Sequence, residues 1–582
     1  MNPFKILHIN LTKQKSRIEY VSPDLAILGG SSLAAYLYQE YGLLSEPANH
    51  PDQPLIFCLG PLNGLFPMLS KVVLGFKSPY HQQYAETHAG GRLSLAMRFA
   101  GLTALVLTGK LSDLGVVEIA HNEINFYSTP FLKGLDVYST GKIVRKISKL
   151  PSGKRSILRI GLAGENEVPI SCINVDTYRH FGRLGAGAVM GSKNLKAIVI
   201  GGEANFDLES LVDLKKYTQL YRELYQVITQ TKAVHKYHDL GTAQNIIPLN
   251  ELKVLPWNNL QKTSNSKIRG ISGEYFAQKL LLRKVACSGC PVGCIHIGVL
   301  REKFGQEHEY LYRQVSYDYE LIFALGSMLG INRATYVLRL IEVVEKVGLD
   351  AMSAGVILAY VTEGLAKKIF TLKQTLVNLE FGRPGPYEEA IFYLAHPPNE
   401  FWNTVNKGLR YAIKRLGGED FACLLGQEMA GYATGENYFV SQALGFRHSH
   451  LDTGAYSFDQ KSKQNDLDKA LDFLRTEENY RVVFTSCVGC LFARKAYSWE
   501  VIRDTLAVVG LDFSLQELKQ AGAKIAGLRW QLKLKTGFDP AMVKIPKRFL
   551  EVETFKGKIN PTYLKQLQQS YAKYIQELAA SV

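Results

Sequence analysis

The hydrophobic pattern of this chain changes its period near Asp207, and this change constrains the fold more than any other feature of the sequence. Before this point, short apolar segments alternate with polar residues or are bounded by Gly and Pro, as in β-strands. After it, apolar residues recur every three or four positions, as in amphipathic α-helices. The sequence therefore predicts an α+β protein, with a β-rich N-terminal domain followed by two mostly α-helical domains.

The predicted elements divide the chain at two places. The predicted strands are Lys5–Leu11, Ser16–Val21, Leu55–Leu59, Lys71–Phe76, Ala104–Leu107, a hairpin around Asn122, Ile157–Gly161 and Lys196–Ile200. The predicted helices are Glu209–Thr229, Glu274–Arg283, Asn332–Val347, Ala351–Lys367, Glu400–Leu416 and Thr562–Ala580. We interpret the Gly- and Pro-rich stretch Gly382–Pro398 as a linker. Since 582 residues exceed what one core usually supports, we expect domains at 1–207, 208–400 and 401–582.

Charge and cysteine content narrow the class of protein. The net charge of +15 favours an anionic partner, but Lys and Arg are scattered without a polybasic arm or a nucleic-acid motif. We therefore expect no nucleic acid as partner, and an acidic electron carrier would fit the charge equally well. No leader with an apolar core and no membrane-length apolar run are found, so a cytoplasmic protein without a membrane span is expected. Eight cysteines are too few for a disulfide scaffold.

Five of the cysteines form two short clusters, which indicates a metal site. Cys287, Cys290 and Cys294 follow the predicted helix Glu274–Arg283 at a spacing that lets three thiolates converge. A [4Fe-4S] cluster needs a fourth thiolate, and Cys487 and Cys490 are both candidates. A Cys3His zinc site that includes His296 is the alternative, and the spacing leaves both open. Cys58, Cys172 and Cys423 lie in apolar contexts typical of core cysteines.

Two glycine-rich segments in the β-rich part offer backbone amides to an anion. They are Thr87–Arg92 and Gly182–Gly191, and each contains an arginine. Glycine lets the backbone approach a phosphate closely. Neither segment is a Rossmann or Walker motif, because Asp176–Phe181 is not a convincing strand and no Walker lysine follows. A tight turn is the alternative for each segment alone, but two in one domain favour a phosphate site.

Motifs in a fixed order along the chain resemble those of aldehyde:ferredoxin oxidoreductases. The most specific of them, Gly182–Ala197, is similar to the pterin-phosphate loop of that family. The other matching segments are Leu7–Leu11, Leu28–Leu37, Gly60–Leu62, Lys77–Pro79, Ala89–Gly91, Arg98–Gly101, Gly161–Asn166, the cysteine trio, Asp318–Glu320, Gly348–Asp350 and Cys490.

This resemblance implies both a cofactor and an activity. The β-rich domain would hold a tungsten or molybdenum bis-pterin, with a magnesium ion bridging the pterin phosphates. Cys287, Cys290, Cys294 and Cys490 would hold a [4Fe-4S] cluster, while Cys487 would be a neighbour without a role. The enzyme would oxidise an aldehyde to a carboxylic acid with oxygen from water. Electrons would leave through the cluster to ferredoxin or a ferredoxin-like subunit, and a homodimer is a further expectation.

The resemblance also implies the roles of site residues. Glu320 would take a proton, and His450 would hydrogen-bond the substrate oxygen. Their structural alternatives are a helix N-terminal charge before Leu321–Leu329 and an ordinary loop histidine. The cofactor-binding residues would be Lys71, His88, Ala89, Gly90, Arg183, Leu184, Gly185, Gly187, Glu345, Leu349, Asp350, Thr485 and Gly489. Phe323, Tyr432 and Tyr456 are candidates for the substrate pocket, with a core role as the alternative.

Several departures from the family pattern cluster on the cofactor. Lys71 lies where the family has an arginine, His88 where it has an asparagine, and Glu345 where it has an aspartate. Lysine keeps the charge of arginine but loses its bidentate fork. The chain is therefore expected to be a divergent member. The alternatives are a related bis-pterin enzyme that reduces an activated acid, a member without pterins, and a zinc-stabilised nucleic-acid-binding protein.

Overall fold

The computed structural model describes residues 3–121, 123–204, 208, 211–304 and 309–582. The N-terminal part contains two six-stranded sheets. Its strands are β1 Phe4–Asn10, β2 Lys15–Val21, β3 Leu55–Cys58, β4 Val72–Lys77, β5 Tyr84–Ala89, β6 Ala104–Thr108, β7 Gly115–Ile119, β8 Ile124–Ser128, β9 Arg155–Arg159, β10 Ile173–Val175, β11 Arg179–Phe181 and β12 Leu195–Gly201. Its helices are α1 Gly30–Tyr41, α2 Leu93–Phe99, α3 Val137–Ile147, α4 Leu162–Glu165 and α5 Ala186–Ser192.

The two sheets pack face to face around one core. Their strand orders are β2-β1-β6-β3-β4-β5 and β11-β10-β9-β12-β7-β8, and only the pairs β1/β6 and β12/β7 are parallel. Leu7 and Phe57 from the first sheet and Leu158 and Phe181 from the second are buried in the shared core. The rings of Phe57 and Phe181 meet edge to face at 5.6 Å. The opposite face of the first sheet packs against α1 and the helical part.

The rest of the chain is mostly helical. Its helices are α6 Leu214–Gln230, α7 Lys232–Asp239, α8 Ile246–Glu251, α9 Gly273–Lys279, α10 Tyr319–Leu325, α11 Ala334–Val347, α12 Ala351–Ala366, α13 Leu372–Thr375, α14 Gly385–Ala395, α15 Glu400–Val405, α16 Leu409–Leu416, α17 Glu436–Leu444, α18 Ala455–Lys461, α19 Leu467–Ser486, α20 Trp499–Val508, α21 Leu515–Lys535, α22 Lys547–Leu550 and α23 Pro561–Ala580. The predicted fold class, a β-rich base followed by helices, is confirmed.

A second group of strands interrupts the helical part, which the sequence analysis did not predict. The strands are β13 Leu281–Val285, β14 Ile295–Lys303, β15 Tyr310–Tyr317, β16 Leu424–Leu425, β17 Gln427–Glu428, β18 Glu553–Thr554 and β19 Gly557–Lys558. The predicted helix Glu274–Arg283 is wrong in its second half, because α9 ends at Lys279 and Leu281–Val285 pairs antiparallel with β14. The cysteine trio therefore lies in a strand-to-strand loop.

Three further predictions also need correction. The linker Gly382–Pro398 contains helix α14, whose Tyr387 and Leu394 are buried, and Pro386 sits in its first turn, where no helical N–H is needed. The predicted helix Glu400–Leu416 is divided at Gly408, where φ is +93°. Asp176–Phe181 does contain a strand, β11, but at a sheet edge.

The predicted hairpin is confirmed, whereas the predicted domain boundaries are not tested. The hairpin is present as β7 and β8, although its tip, Asn122, lies outside the described residues. Asp207 and Glu209 lie outside them too, and α6 begins at Leu214 with Asp213 as its N-cap. The division into domains at 207 and 400 stays a prediction.

Among the described residues, no single helix is long and apolar enough to cross a membrane. By length and composition, one pair of helical segments passes the same test together, Tyr319–Leu329 with Ala334–Val347. The two segments are bent by 111° relative to each other.

The start of α1 joins the N-terminal part to the end of α19. The Ser31 and Thr485 hydroxyls are 3.0 Å apart, and the Ser32 N–H donates to Ser486 Oγ at 3.1 Å. Gly30 allows this close approach, because it has φ of +39° and its Cα faces the carbonyl oxygens of Thr485 and Ser486. The start of α1 and the end of α19 thus meet backbone to backbone beside the residues predicted to bind the cofactor.

Replacing Gly30 by Ala should destabilise this contact. An ideal Cβ at residue 30 would lie 2.8 Å from the Ser486 carbonyl oxygen, and φ is in the left-handed region. We expect a loss of at least about 2 kcal/mol of unfolding free energy, from overlap and backbone strain. Thermal unfolding followed by circular dichroism should show a lower midpoint for Gly30→Ala. Gly153→Ala is the control, since nothing lies within 4 Å of a Cβ there.

Candidate functional site

A cavity of about 440 Å³ lies between the N-terminal sheets and the helical part. This size is typical of sites for small molecules and cofactors. Most of the residues predicted for the site line this cavity: Lys71, His88, Gly90, Arg183, Leu184, Cys287, Cys290, Cys294, Glu320, Glu345, Leu349, Asp350, His450, Thr485, Gly489 and Cys490. Residues from distant parts of the sequence therefore share one enclosed space.

Three predicted residues do not line the cavity. Ala89 is buried in the core between the two sheets. Gly185 has φ of +83°, and Gly187 donates its N–H to the Ser171 carbonyl at 3.2 Å. Gly185 is the N-cap of α5, and Gly187 lies in the first turn of that helix. Their direct contact with a cofactor stays a prediction.

The segment Met68–Lys71 links the two cysteine loops. The Met68 N–H donates to the Gly289 carbonyl at 3.1 Å, and its own carbonyl accepts from the Cys490 N–H at 3.0 Å. The Lys71 N–H donates to the Val488 carbonyl at 3.1 Å. These bonds place the loop that contains Cys287, Cys290 and Cys294 beside Cys490.

Cations favour the thiolate form of Cys287, whereas burial favours the thiol form of Cys290 and Cys294. Burial works to raise the pKa of the Cys287 thiol, but the positive charges of Arg179 and Lys71 outweigh it and hold that pKa below its usual value. Burial raises the pKa of Cys290 to about 12 and of Cys294 to about 11. Soft thiolates in such a dry site need a metal to compensate their charge. The residues present therefore fit an iron–sulfur cluster.

The zinc alternative fits the structure less well. Both ring nitrogens of His296 face backbone carbonyls, with Nδ1 3.2 Å from the Cys294 oxygen and Nε2 3.1 Å from the His238 oxygen. Within the described part of the chain, no three His, Cys, Asp or Glu side chains close around a single ion. One zinc would need its sulfurs within about 4 Å of each other, whereas a four-iron cluster spreads its ligands more widely.

The loop that follows β11 is fixed to both parts of the protein. Leu184 has φ of +70°, and its carbonyl accepts from the Ser78 hydroxyl at 2.7 Å. Arg183 donates to Asp350 Oδ2 at 3.1 Å and to the Glu428 carbonyl at 2.8 Å. Arg183 Nη1 remains buried without a protein partner. The loop thus presents one free guanidinium donor where the sequence predicted a pterin phosphate.

Glu320 and His450 meet in the cavity. Glu320 lies in the first turn of α10, and its Oε2 accepts from the Gly431 N–H at 3.1 Å. Its Oε1 lies 3.4 Å from His450 Nε2. Burial raises the pKa of Glu320 to about 8, whereas burial and then the charge of Arg183 lower the pKa of His450 to about 3. Near neutral pH the pair therefore carries little charge, and a salt bridge is not the right description.

His88 belongs to a second network behind the cavity. Its Nδ1 lies 3.3 Å from Arg447 Nη1, and its Nε2 lies 3.6 Å from Glu86 Oε2. Arg529 holds Glu86 with two hydrogen bonds, of 2.7 and 3.1 Å. Burial and then Arg447 lower the pKa of His88 to about 4, so its ring is neutral at physiological pH.

Buried polar atoms without a hydrogen-bond partner indicate whether the cavity is suited to bind a polar cofactor. Among the described residues, six buried atoms of lining residues have no protein hydrogen-bond partner: His88 Nε2, Arg179 Nε, Arg183 Nη1, Tyr317 Oη, Glu320 Oε1 and His450 Nδ1. Buried polar groups are rarely left unpaired in native proteins. A polar, anionic cofactor such as a bis-pterin would satisfy the free guanidinium donors, so the residues fit that group.

The sequence analysis missed several charged residues of the site. Arg179 donates towards Cys294 Sγ at 3.8 Å, and His180 Nε2 lies 3.2 Å from Glu345 Oε2. Arg447 contacts His88 and is held by Asp452 at 2.8 Å. The signal available in the sequence was position. Arg179 and His180 lie within three residues of the start of the glycine-rich loop at Gly182, and Arg447 is three residues from His450.

Two family models match this chain, and both describe the same family. The model of the aldehyde ferredoxin oxidoreductase N-terminal domain matches residues 6–202, and that of aldehyde ferredoxin oxidoreductase domains 2 and 3 matches residues 219–577. The chain is 28% identical over 606 residues to the tungsten-containing aldehyde ferredoxin oxidoreductase of Pyrococcus furiosus. That similarity covers 98% of this chain and 95% of the relative.

Other relatives carry different names. The chain is 27% identical over 557 residues to the WOR-like subunit of an aliphatic sulfonate oxidoreductase of Pyrococcus furiosus, covering 92% of this chain and 86% of that protein. It also resembles the solved active site complex BamBC of benzoyl coenzyme A reductase, with a TM-score of 0.79 and 18% identity. That likeness covers 99% of this chain and 95% of the other, and it shows the fold alone.

Replacing Cys490 should remove iron, whereas replacing Cys487 should not. Cys490 lines the cavity with the other three cysteines, but Cys487 is buried at the end of α19 and does not line it. We expect Cys490→Ala to lose most of the iron and of the visible absorption of anaerobically purified protein. Metal analysis by mass spectrometry measures this. Equal iron in the two variants would contradict the predicted ligand set.

Proposed function

The chain belongs to the aldehyde ferredoxin oxidoreductase family, and we propose that it oxidises an aldehyde to a carboxylic acid and passes the electrons to ferredoxin or a ferredoxin-like protein. One observation carries the proposal: the buried Glu320 and His450 share a cavity with four cysteines, and each has a polar atom without a protein partner. A reacting molecule between the pair and the cysteines would supply the missing partners.

A tungsten or molybdenum bis-pterin, when bound, would supply the two-electron chemistry. Arg183, Lys71 and His88 would face it with positive or hydrogen-bonding groups, and a magnesium ion could bridge its phosphates. In the balanced reaction, the aldehyde and one water give the carboxylic acid, two protons and two electrons. Cys287, Cys290, Cys294 and Cys490 would hold the cluster through which the electrons leave, singly, to the acceptor.

Glu320 would accept a proton from the water or hydrated aldehyde. A carboxylate with a pKa near neutral is suited to this role, because it is basic enough to take the proton and acidic enough to release it. Its Oε2 is held by the Gly431 N–H, which leaves Oε1 free to face the substrate. His450 is neutral and would donate an N–H to the substrate oxygen as negative charge develops there.

The partners follow from the relatives' names and from charge. Ferredoxin is part of the name of the tungsten-containing relatives, and a net charge of +15 favours the approach of an acidic acceptor. A homodimer stays a prediction. Some similar proteins are named for sulfonates or for benzoyl coenzyme A and not for aldehydes. The substrate screen should therefore include assays in the reducing direction as well as an aldehyde panel.

Metal content and an aldehyde panel test the proposal together. Anaerobically purified protein should contain about four irons per chain and about one tungsten or molybdenum. It should reduce a viologen dye when an aldehyde is added. Reduction of an activated acid without aldehyde oxidation would favour the reverse reaction, iron alone would indicate a member without pterins, and zinc alone would contradict the proposal.

The pH profile of the reaction should depend on Glu320. Since burial raises its pKa to about 8, the basic form grows as the pH rises, and kcat/KM should increase up to about pH 8 and then level off. Glu320→Gln should lower kcat/KM by about a hundredfold or more and abolish this increase. Stopped-flow or dye-reduction assays from pH 5.5 to about 9.5 measure the profile.

Glu302→Gln is the matched control for loss of a carboxylate. Glu302 lies on β14, pairs with Arg313 and Arg339, and does not line the cavity. We expect its pH profile to match that of the unaltered protein. A Glu320→Gln variant that retains the same rise towards pH 8 would show that another group accepts the proton.

A further inference from the structure

Aromatic rings line the cavity beyond the Glu320–His450 pair. Tyr432 lies 5.3 Å from the His450 ring and stacks on Tyr456 with centroids 4.4 Å apart. Tyr237, from α7, and Phe492 stack at 4.0 Å and line the same cavity. Such a wall contacts flat, apolar groups well because each ring buries a large area and offers a π face. Tyr432 and Tyr456 were predicted for this role, whereas Phe323 is buried away from the cavity.

Arg494 lies at the other end of this aromatic wall. It follows Cys490 by four residues, lines the cavity, donates to the Leu491 carbonyl at 2.8 Å and lies close to Tyr237. Its guanidinium has no carboxylate partner within the described ranges. Arg481, its arginine neighbour, is held by Glu477 at 2.7 Å.

The other arginines of the cavity either pair with a carboxylate or lie beside the cysteines. Arg183 pairs with Asp350, Arg447 pairs with Asp452, and Arg179 lies beside the cysteines. Apart from Arg179 beside the cysteines, Arg494 is therefore the arginine of this lining that has no ion pair with a carboxylate among the described residues. Lys236 is close enough to repel it, which adds to the local positive potential. A half-buried guanidinium in that setting favours an anion that can take two parallel hydrogen bonds.

We propose that Arg494 binds the carboxylate of an aryl aldehyde, whose ring lies along Tyr432 and Tyr456 and whose formyl group faces Glu320 and His450. This inference rests on the proposed function and adds the substrate class to it. A ring satisfies the aromatic wall, and a carboxylate satisfies the guanidinium fork. A neutral aryl aldehyde would satisfy only the first of these two contacts.

The test compares two aldehydes that differ in one charge. For the holoenzyme, kcat/KM for para-carboxybenzaldehyde should exceed that for benzaldehyde. In Arg494→Gln this ratio should fall about tenfold to a hundredfold, the range expected for one hydrogen-bonded charge. The ratio cancels any effect of the variant on the electron acceptor. Arg494→Glu should reverse the preference, in favour of para-trimethylammonio-benzaldehyde over para-carboxybenzaldehyde.

Arg503→Gln is the matched control. Arg503 lies on α20, pairs with Asp504 at 2.8 Å and does not line the cavity, so its ratio should equal that of the unaltered enzyme. Calorimetric binding of terephthalate and benzoate to the holoenzyme gives a readout without turnover. Terephthalate should bind more tightly than benzoate, and Arg494→Gln should remove the difference.

The outcomes separate this inference from the proposed function. Oxidation of both aldehydes with a ratio unaffected by Arg494→Gln would overturn the inference and leave the function standing. A variant that slows only the reaction with ferredoxin would likewise overturn it, because Arg494 would then serve protein docking. If no aldehyde is oxidised but terephthalate binds in an Arg494-dependent way, the subsite stands and the proposed function fails.

Discussion

The site depends on the backbone hydrogen bonds that Met68–Lys71 makes to both cysteine loops. Through Gly289, Val488 and Cys490, this short segment of the N-terminal part fixes the distance between a loop of β13–β14 and the end of α19. Side chains could not hold this position as firmly, because each would have several rotamers to lose. Gly30, with its close approach to Thr485 and Ser486, holds the end of α19 to the N-terminal part at a second place.

The electrostatics of the cavity divide it into two regions. On the cofactor side, Arg179, Lys71 and Arg183 supply positive charge, which anionic thiolates and phosphates would compensate. Around Glu320 and His450, burial disfavours charge on both side chains, so that near neutral pH this region is mostly neutral and only the ionised fraction of Glu320 can accept a proton. Such a neutral region places little field on an uncharged formyl group, while Arg494 lies where a distant charge would be stabilised.

The sequence predicted the fold class and that Cys287, Cys290 and Cys294 lie together, because both depend on local patterns. The hydrophobic period and the cysteine spacing can both be read from residues that are close together in the sequence. The grouping of Cys287, Cys290 and Cys294 therefore needed no long-range information. The prediction failed where local patterns are ambiguous. Leu281–Val285 is apolar enough for either a helix or a strand, and pairing with β14 decides it. The surroundings of Arg447 and Arg494 are formed by contacts between segments distant in sequence, which no local pattern encodes.

The meeting of α1 with the end of α19 also bears on how the protein is made. Ser31 and Thr485 are 454 residues apart in sequence, yet their hydroxyls touch. During synthesis the N-terminal sheets emerge from the ribosome long before Cys490 exists. The N-terminal loops that line the cavity in the folded protein therefore stay exposed until the last helices have been synthesised and have packed against them. A cofactor that lies between the N-terminal sheets and the end of α19 has to enter after translation is nearly complete. Cofactor delivery is then a late step of maturation.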